Sequence, residues 1–176
     1  MEIKNFIRDI PNFPKEGIIF KDITTLLKDK AAFEFTLENL FLFAKDKGIT
    51  KVVGIESRGF IFGGALAQKL NCGFIPIRKP GKLPAEKIKE EYSLEYGVDS
   101  IEIHKDALNE NDVVLLHDDL LATGGTMKAA CNLVEKLGAT INQISFIIEL
   151  DFLKFIGVQW KLKILFATFQ IFPKRE

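Results

Sequence analysis

Short aliphatic runs alternate with amphipathic stretches along most of the chain, a rhythm that predicts strands alternating with helices. Val113-Val114-Leu115-Leu116 is continuously apolar, as a parallel strand covered on both faces should be. Thr50–Ile55, Gly73–Ile77, Ile141–Leu150 and the tail Leu162–Phe172 read as further strands, with Pro76 marking an edge position or a strand end. Between them, Phe33, Leu37, Leu40, Phe41 and Ala44 form a helical stripe over Ala31–Lys47, closed by Gly48. A second helix is predicted over Gly59–Leu70, where Gly63, Gly64 and Ala65 allow close packing on a sheet. A third covers residues 125–137, with Ala130, Leu133, Val134 and Leu137 on one face and Gly138 after it. The expected fold is α/β: one domain over residues 1–176 with a mostly parallel central sheet flanked by helices.

Two segments break the rhythm. Residues 1–30 begin with a predicted amphipathic helix, Glu2–Ile10, followed by the turn-rich Pro11-Asn12-Phe13-Pro14-Lys15-Glu16-Gly17. Ile18-Ile19-Phe20 is short and apolar, and Asp22 is placed to cap the turn after it. This part is expected to lie over the sheet edge as a small hood. Residues 78–104 form the other exception. Arg78–Glu91 is charged and irregular, whereas Tyr92–Tyr96 and Ser100–His104 alternate like a two-stranded antiparallel ribbon.

Composition narrows the function. Lys plus Arg and Asp plus Glu both number 24 among 176 residues, so no global field favours nucleic acid or an acidic membrane. No apolar run reaches transmembrane length, and Met1-Glu2-Ile3-Lys4 does not open a signal peptide. Cys72 and Cys131 lack metal-ligand spacing and read as reduced core thiols, which suits a cytoplasmic protein.

Candidate chemistry concentrates after the run at 113–116. There His117-Asp118-Asp119-Leu120-Leu121-Ala122-Thr123-Gly124-Gly125-Thr126 leads into the third helix. Ligands of open α/β sheets bind outside the carboxyl ends of strands. Backbone N–H groups of a small-residue turn at a helix N-terminus make a nest for an anion, and Thr123 and Thr126 add hydroxyls. Asp118 and Asp119 repel a phosphate but suit vicinal sugar hydroxyls, or a metal ion with its waters. Phosphate beside diol describes a ribose 5-phosphate. The Gly-x-x-x-x-Gly-Lys spacing of a Walker loop is absent. Glu56-Ser57-Arg58-Gly59, at the end of strand 50–55, is a second strand-to-helix turn with a cation able to bind an anion bidentately.

The stretch 118–126 resembles the phosphoribosyl-pyrophosphate motif of the type I phosphoribosyltransferase family, and its wording is similar to that of the adenine phosphoribosyltransferases. One residue departs: His117 stands where the family is usually aliphatic. The resemblance implies transfer of 5-phosphoribosyl from 5-phosphoribosyl 1-pyrophosphate to adenine, giving AMP and pyrophosphate, with Mg²⁺ as cofactor. It implies that Ala122, Thr123, Gly124, Gly125 and Thr126 hold the 5-phosphate and that Asp118 and Asp119 hold the ribose hydroxyls. The acidic pair would meet the metal directly or through water and substrate. Ser57 and Arg58 would bind pyrophosphate, in a turn that often carries a cis non-proline peptide, expected at Glu56–Ser57. Arg78, Lys79 and Lys82 would belong to a flexible lid spanning 78–104, with Glu95 as the catalytic group beside the purine and Tyr96 next to it on the ribbon. Phe20 would stack on adenine, with backbone contacts from Ile19 and Lys21 and with Leu120 on the other purine face. Many relatives carry Arg at the position of Lys21. A homodimer is the further implication.

Base choice follows from the same motif. Enzymes for 6-oxopurines resemble Glu-Asp-x-x-Asp-Thr-Gly there, and Ala122 occupies the slot of their extra aspartate. Uracil enzymes resemble Asp-Pro rather than Asp-Asp. Orotate enzymes share the acidic pair but not Leu-Ala-Thr-Gly-Gly-Thr. Two other classes fit the motif less well. A regulator that binds the donor without turnover would need an effector module, and no helix-turn-helix or basic patch is visible. A synthetase making the donor would need an ATP-binding segment of plausible length, and none is left over. Neither His104 nor His117 has partners at metal spacing, and His117 is expected to be buried, neutral and hydrogen-bonded.

Overall fold

A computed structural model describes residues 1–94, 97–150 and 164–165. The chain divides into two compact units, Met1–Leu40 and Phe41–Glu176. The first opens with a single 3-10 turn, Ile3–Phe6, and continues as a hairpin of β1 (Arg8–Pro11) and β2 (Ile19–Asp22). The expected helix over Glu2–Ile10 is therefore wrong beyond its first turn. Arg8 stands opposite Asp22 and Asp9 opposite Lys21 in the hairpin register, and both pairs form ion pairs. Direct cross-strand charge pairing of this kind favours strand over helix. The hydrogen bonds of Arg8 hold the Asp22 carboxyl down at about 2, and Asp22 also accepts the Thr24 N–H at 2.9 Å. It thus holds the turn that leads into α1 (Thr24–Lys28), one residue ahead of the N-cap Ile23. Next comes α2 (Lys30–Ala44), whose fully covered positions are Ala32, Thr36, Leu40 and Ala44, with Phe33, Leu37 and Phe41 flanking them.

In the second unit β3 (Lys51–Ile55), α3 (Gly59–Lys69) and β4 (Gly73–Ile77) form the first crossover. An antiparallel ribbon follows, β5 (Lys87–Leu94) and β6 (Gly97–His104). Then come β7 (Val113–His117), the two-residue β8 (Leu120–Leu121), α4 (Gly125–Lys136), β9 (Thr140–Ser145) and β10 (Ile148–Glu149). A last pair of residues, β11 (Ile164–Leu165), lies within the expected tail strand; the remainder of 162–172 is outside the described residues. The sheet order is β11-β9-β7-β3-β4 and every pairing is parallel. β4, with Pro76, is at the edge. Val52, Val53, Val114, Leu115 and Leu116 are completely covered, each aliphatic side chain stabilising by about 1.5–3 kcal/mol.

Two strand expectations need correction. Lys87–Glu91 is not irregular but the first half of β5: Lys87, Lys89 and Glu91 are exposed, while Ile88, Glu90 and Tyr92 turn inward. The inward Glu90 hides the alternation, because its carboxylate accepts hydrogen bonds from Asn132 at 2.7 Å and from Lys136 on α4. The stretch 141–150 is two strands, broken at Phe146-Ile147, where Asp119 O accepts both the Ile147 and Ile148 N–H groups. β10 then pairs with β8.

Small residues set how closely α3 lies on the sheet. A Cβ at Gly54 would stand 2.7 Å from the Phe74 ring, and one at Gly63 would stand 2.9 Å from it. Gly64, by contrast, faces open space, so the close face is narrower than expected. Cys72 and Cys131 are free, and burial pushes the Cys131 thiol up to about 12. No helix among the described residues is long and apolar enough to cross a membrane.

Candidate active site

The chain runs from β3 outward to β4 on one side and from β7 outward to β9 on the other. The switch falls between β3 and β7, and their carboxyl-terminal loops face each other across the crevice that such a switch leaves. These loops are Glu56–Gly59 and Asp118–Gly124. They line a cavity of about 370 Å³ together with Lys79, Tyr92, Thr126, Met127 and Phe146.

In the first loop the Glu56–Ser57 peptide is cis, as expected. Arg58 then enters α3, and its Nε lies 2.9 Å from Asp119 Oδ2. That approach is an ion pair off the hydrogen-bonding direction, since Oδ2 accepts no hydrogen bond. Gly59 sits where the two loops come close together. A Cβ there would meet Asp118 Oδ1 and His117 O, both at 3.0 Å, and Asp118 Cα at 3.2 Å. Two of those atoms are backbone and cannot rotate away. Gly59→Ala is expected to cost about 1–3 kcal/mol of stability and to raise the KM for a ligand held by Asp118. Thermal melts and initial-rate kinetics check both.

The second loop holds the acidic pair. Asp119 is buried; Asp118 is partly open to the cavity and accepts the Asp119 N–H at 2.9 Å. Burial, then the neighbouring Asp119 charge, raises the Asp118 carboxyl well above the usual range. Burial also raises Asp119, with the Arg58 guanidinium pulling the other way. After the pair, Gly124 takes a left-handed φ of 81° and starts α4 without any side-chain cap. Glycine suits that conformation, and the first-turn N–H groups of α4 are left for a ligand at the positive end of the helix.

Of the residues expected at a site, the cavity gathers Ser57, Arg58, Lys79, Asp118, Asp119, Leu120, Ala122, Thr123, Gly124 and Thr126. Gly125 is the first residue of α4. Arg78 is outside the lining; its Nε and Nη2 donate to Glu56 at 3.1 and 3.2 Å. Lys82 offers its backbone oxygen to Arg78 Nη1 at 3.4 Å. Ile19, Phe20 and Lys21 lie on β2 in the other unit. Glu95 and Tyr96 are outside the described residues. Nothing local in the chain marks Tyr92 or Phe146 as lining residues. Tyr92 and Phe146 reach the cavity through tertiary packing, while Met127 could have been counted with its helix turn.

His117 matches its expectation. It is completely buried, with Nδ1 2.9 Å from Ser145 Oγ. Burial drives its pKa down to about 4, so the ring is neutral.

Residues 23–150 match the family described as the phosphoribosyl transferase domain, so the sheet and its two facing loops are those of that class. An adenine phosphoribosyltransferase of Bacteroides thetaiotaomicron is 67% identical over 144 residues, 82% of each chain. The crystal structure of adenine phosphoribosyltransferase from Thermoanaerobacter pseudethanolicus superposes with a TM-score of 0.89 at 50% identity, covering 94% of this chain and 96% of that one. The Saccharomyces cerevisiae enzyme, complexed with an imino-altritol bisphosphate and adenine, gives 0.87 at 40% identity, with 94% and 96% covered. The chain belongs to the adenine phosphoribosyltransferase family.

Proposed function

We propose that the protein transfers the 5-phosphoribosyl group of 5-phosphoribosyl 1-pyrophosphate to N9 of adenine, forming AMP and releasing pyrophosphate. The observation that carries this reading is the placement of an uncapped helix N-terminus, two carboxylates and a guanidinium around one cavity at the sheet's switch point. The α4 turn anchors the 5-phosphate, away from the reacting carbon, and so supplies positioning energy. Asp118 and Asp119 hold the ribose hydroxyls and stabilise positive charge growing on the ring as the C1–O bond breaks. Arg58 and Lys79 take the departing pyrophosphate. Leu120 meets one purine face, and Glu95 acts beside the purine.

Asp118 and Asp119 also fit a magnesium ion. Both are hard oxygen donors, and Asp119 Oδ2 is a buried oxygen that accepts no hydrogen bond. Among the described residues no third acidic, histidine or cysteine side chain joins them, so water and substrate oxygens would complete the shell. Bound there, Mg²⁺ would offset charge on the pyrophosphate. Two free cysteines agree with a reducing cytoplasmic setting, and a homodimer is adopted by family analogy.

The test is formation of AMP and pyrophosphate from adenine and the donor with Mg²⁺, with hypoxanthine, guanine and orotate as competing bases. Turnover is expected with adenine only. Turnover with hypoxanthine and none with adenine would refute the base assignment. Sedimentation of the purified protein reads the dimer.

A further inference from the structure

Three cations stand at or beside the cavity wall, and each faces a carboxylate of the same chain. Arg58 faces Asp119, Arg78 faces Glu56 and Lys79 faces Asp99. In the first two the carboxylate is sheltered: Asp119 is 4% and Glu56 14% exposed, and Arg78 grips Glu56 at two points. The third differs. The Lys79 and Asp99 side chains are 39% and 33% exposed, and an ammonium on a flexible stem rotates between partners more readily than a guanidinium fork.

The backbone beneath Lys79 is pinned. Its N–H donates to Glu56 Oε2 at 3.0 Å. Arg78 exchanges both backbone hydrogen bonds with Glu102, and the buried Glu102 carboxylate accepts the Gly81 N–H at 3.1 Å. Only the side chain of Lys79 has somewhere to go. Its Nζ lies 2.7 Å from Tyr92 Oη and pairs with Asp99 Oδ2, while the Tyr92 hydroxyl donates to Asp99 at 3.0 Å. Lys79 and Tyr92 line the cavity; Asp99, opposite Tyr92 in the ribbon register, is not among its lining residues.

We propose that Asp99 is a positioning residue for donor binding: it holds the Lys79 ammonium at the cavity wall as a stand-in anion, and the pyrophosphate group of the donor displaces it. This rests on the reading of the cavity as a phosphoribosyl pyrophosphate site. Asp99 thereby weakens binding of the pyrophosphate end while keeping Lys79 extended and ready. The contact is an exchange of ion pairs and breaks no covalent bond.

Asp99→Asn removes the charge but keeps an Oδ1 to accept the Ser100 N–H, a bond of 2.7 Å in the wild type. Calorimetric titration with inorganic pyrophosphate and Mg²⁺ should show about fivefold tighter binding to the variant, the scale of one partly exposed ion pair. The KM for the donor should fall by a similar factor with the KM for adenine unchanged, a split that general loosening of the ribbon would not produce. In a Lys79→Met background, Asp99→Asn should leave pyrophosphate affinity unaltered. Unchanged or weaker binding in Asp99→Asn overturns the proposal, as does an equal gain in the Lys79→Met background. Should Asp99→Asn melt below the assay temperature, Asp99→Ser is held to the same outcomes. A wild-type protein that binds pyrophosphate but makes no AMP overturns the reading of the reaction instead, and the titrations still decide the role of Asp99.

Discussion

Asp118→Asn is expected to lower kcat/KM by about 10²–10³-fold, the range seen when one electrostatic stabiliser of a transition state is removed, and at the same time to raise the melting temperature of the ligand-free protein. Both effects have one origin. Burial and the adjacent Asp119 charge raise the Asp118 carboxyl in the folded state, so folding there disfavours the ionised form. A carboxylate with a raised folded pKa binds its proton more tightly folded than unfolded. Its penalty on stability therefore grows as pH rises above the unfolded value of 3.8 and through the folded one. Asparagine has no charge to desolvate. The gain in melting temperature should be present at pH 8 in metal-free buffer and shrink on acidification. Asp119→Asn should gain less, because it leaves the Arg58 guanidinium facing a neutral amide. A lower melting temperature for Asp118→Asn at pH 8 would falsify this account of the pair.

Acid should act on the protein through His117 with the opposite sign. Its imidazole titrates near 6.5 in the unfolded chain and at about 4 when folded. As pH falls through 6.5, the unfolded chain takes up a proton that the folded protein refuses. Stability is thus full above that value and drains away until the folded ring itself titrates, a total of about 3 kcal/mol. His117→Leu, which restores an aliphatic residue before the acidic pair, removes the linkage. Between pH 7.5 and 4.5 the variant should lose about 2–3 kcal/mol less than the wild type in denaturant titrations. Its stability at pH 7.5 carries the separate cost of a buried Ser145 hydroxyl without its histidine partner, so the slope is the quantity to compare. The acidic pair titrates in both proteins and cancels in the difference. Equal slopes would remove His117 as the cause.

The sheet was legible in the sequence because burial on both faces leaves runs such as Val113–Leu116 with no polar residue. The two facing loops were legible because they join strand ends to helix starts, where glycine, hydroxyl and carboxylate residues have few structural reasons to gather. What escaped depended on partners distant in the chain. The spacing of Ile3, Phe6, Ile7 and Ile10 fits a helix, but the pairing of Arg8 and Asp9 with Asp22 and Lys21 makes residues 8–11 a strand. Glu90 sits at an inward position of β5 because α4 brings Asn132 and Lys136 to it, and nothing near residue 90 announces that. The ion pairs of Arg78 and Lys79 were invisible for the same reason. A cation-rich segment reads as solvated loop until the carboxylates that face it are located.

The attachment of Glu90 to α4 has a mechanical consequence. α4 is a rod of 12 residues, some ~18 Å long, with Gly124–Thr126 at one end and Lys136 at the other. The ribbon hangs from the far part of this rod through Asn132 and Lys136, while the near end presents its amides to the cavity. The two share one frame of reference, like a boom carried on a mast. A displacement of the rod is therefore passed to the ribbon through those two side chains.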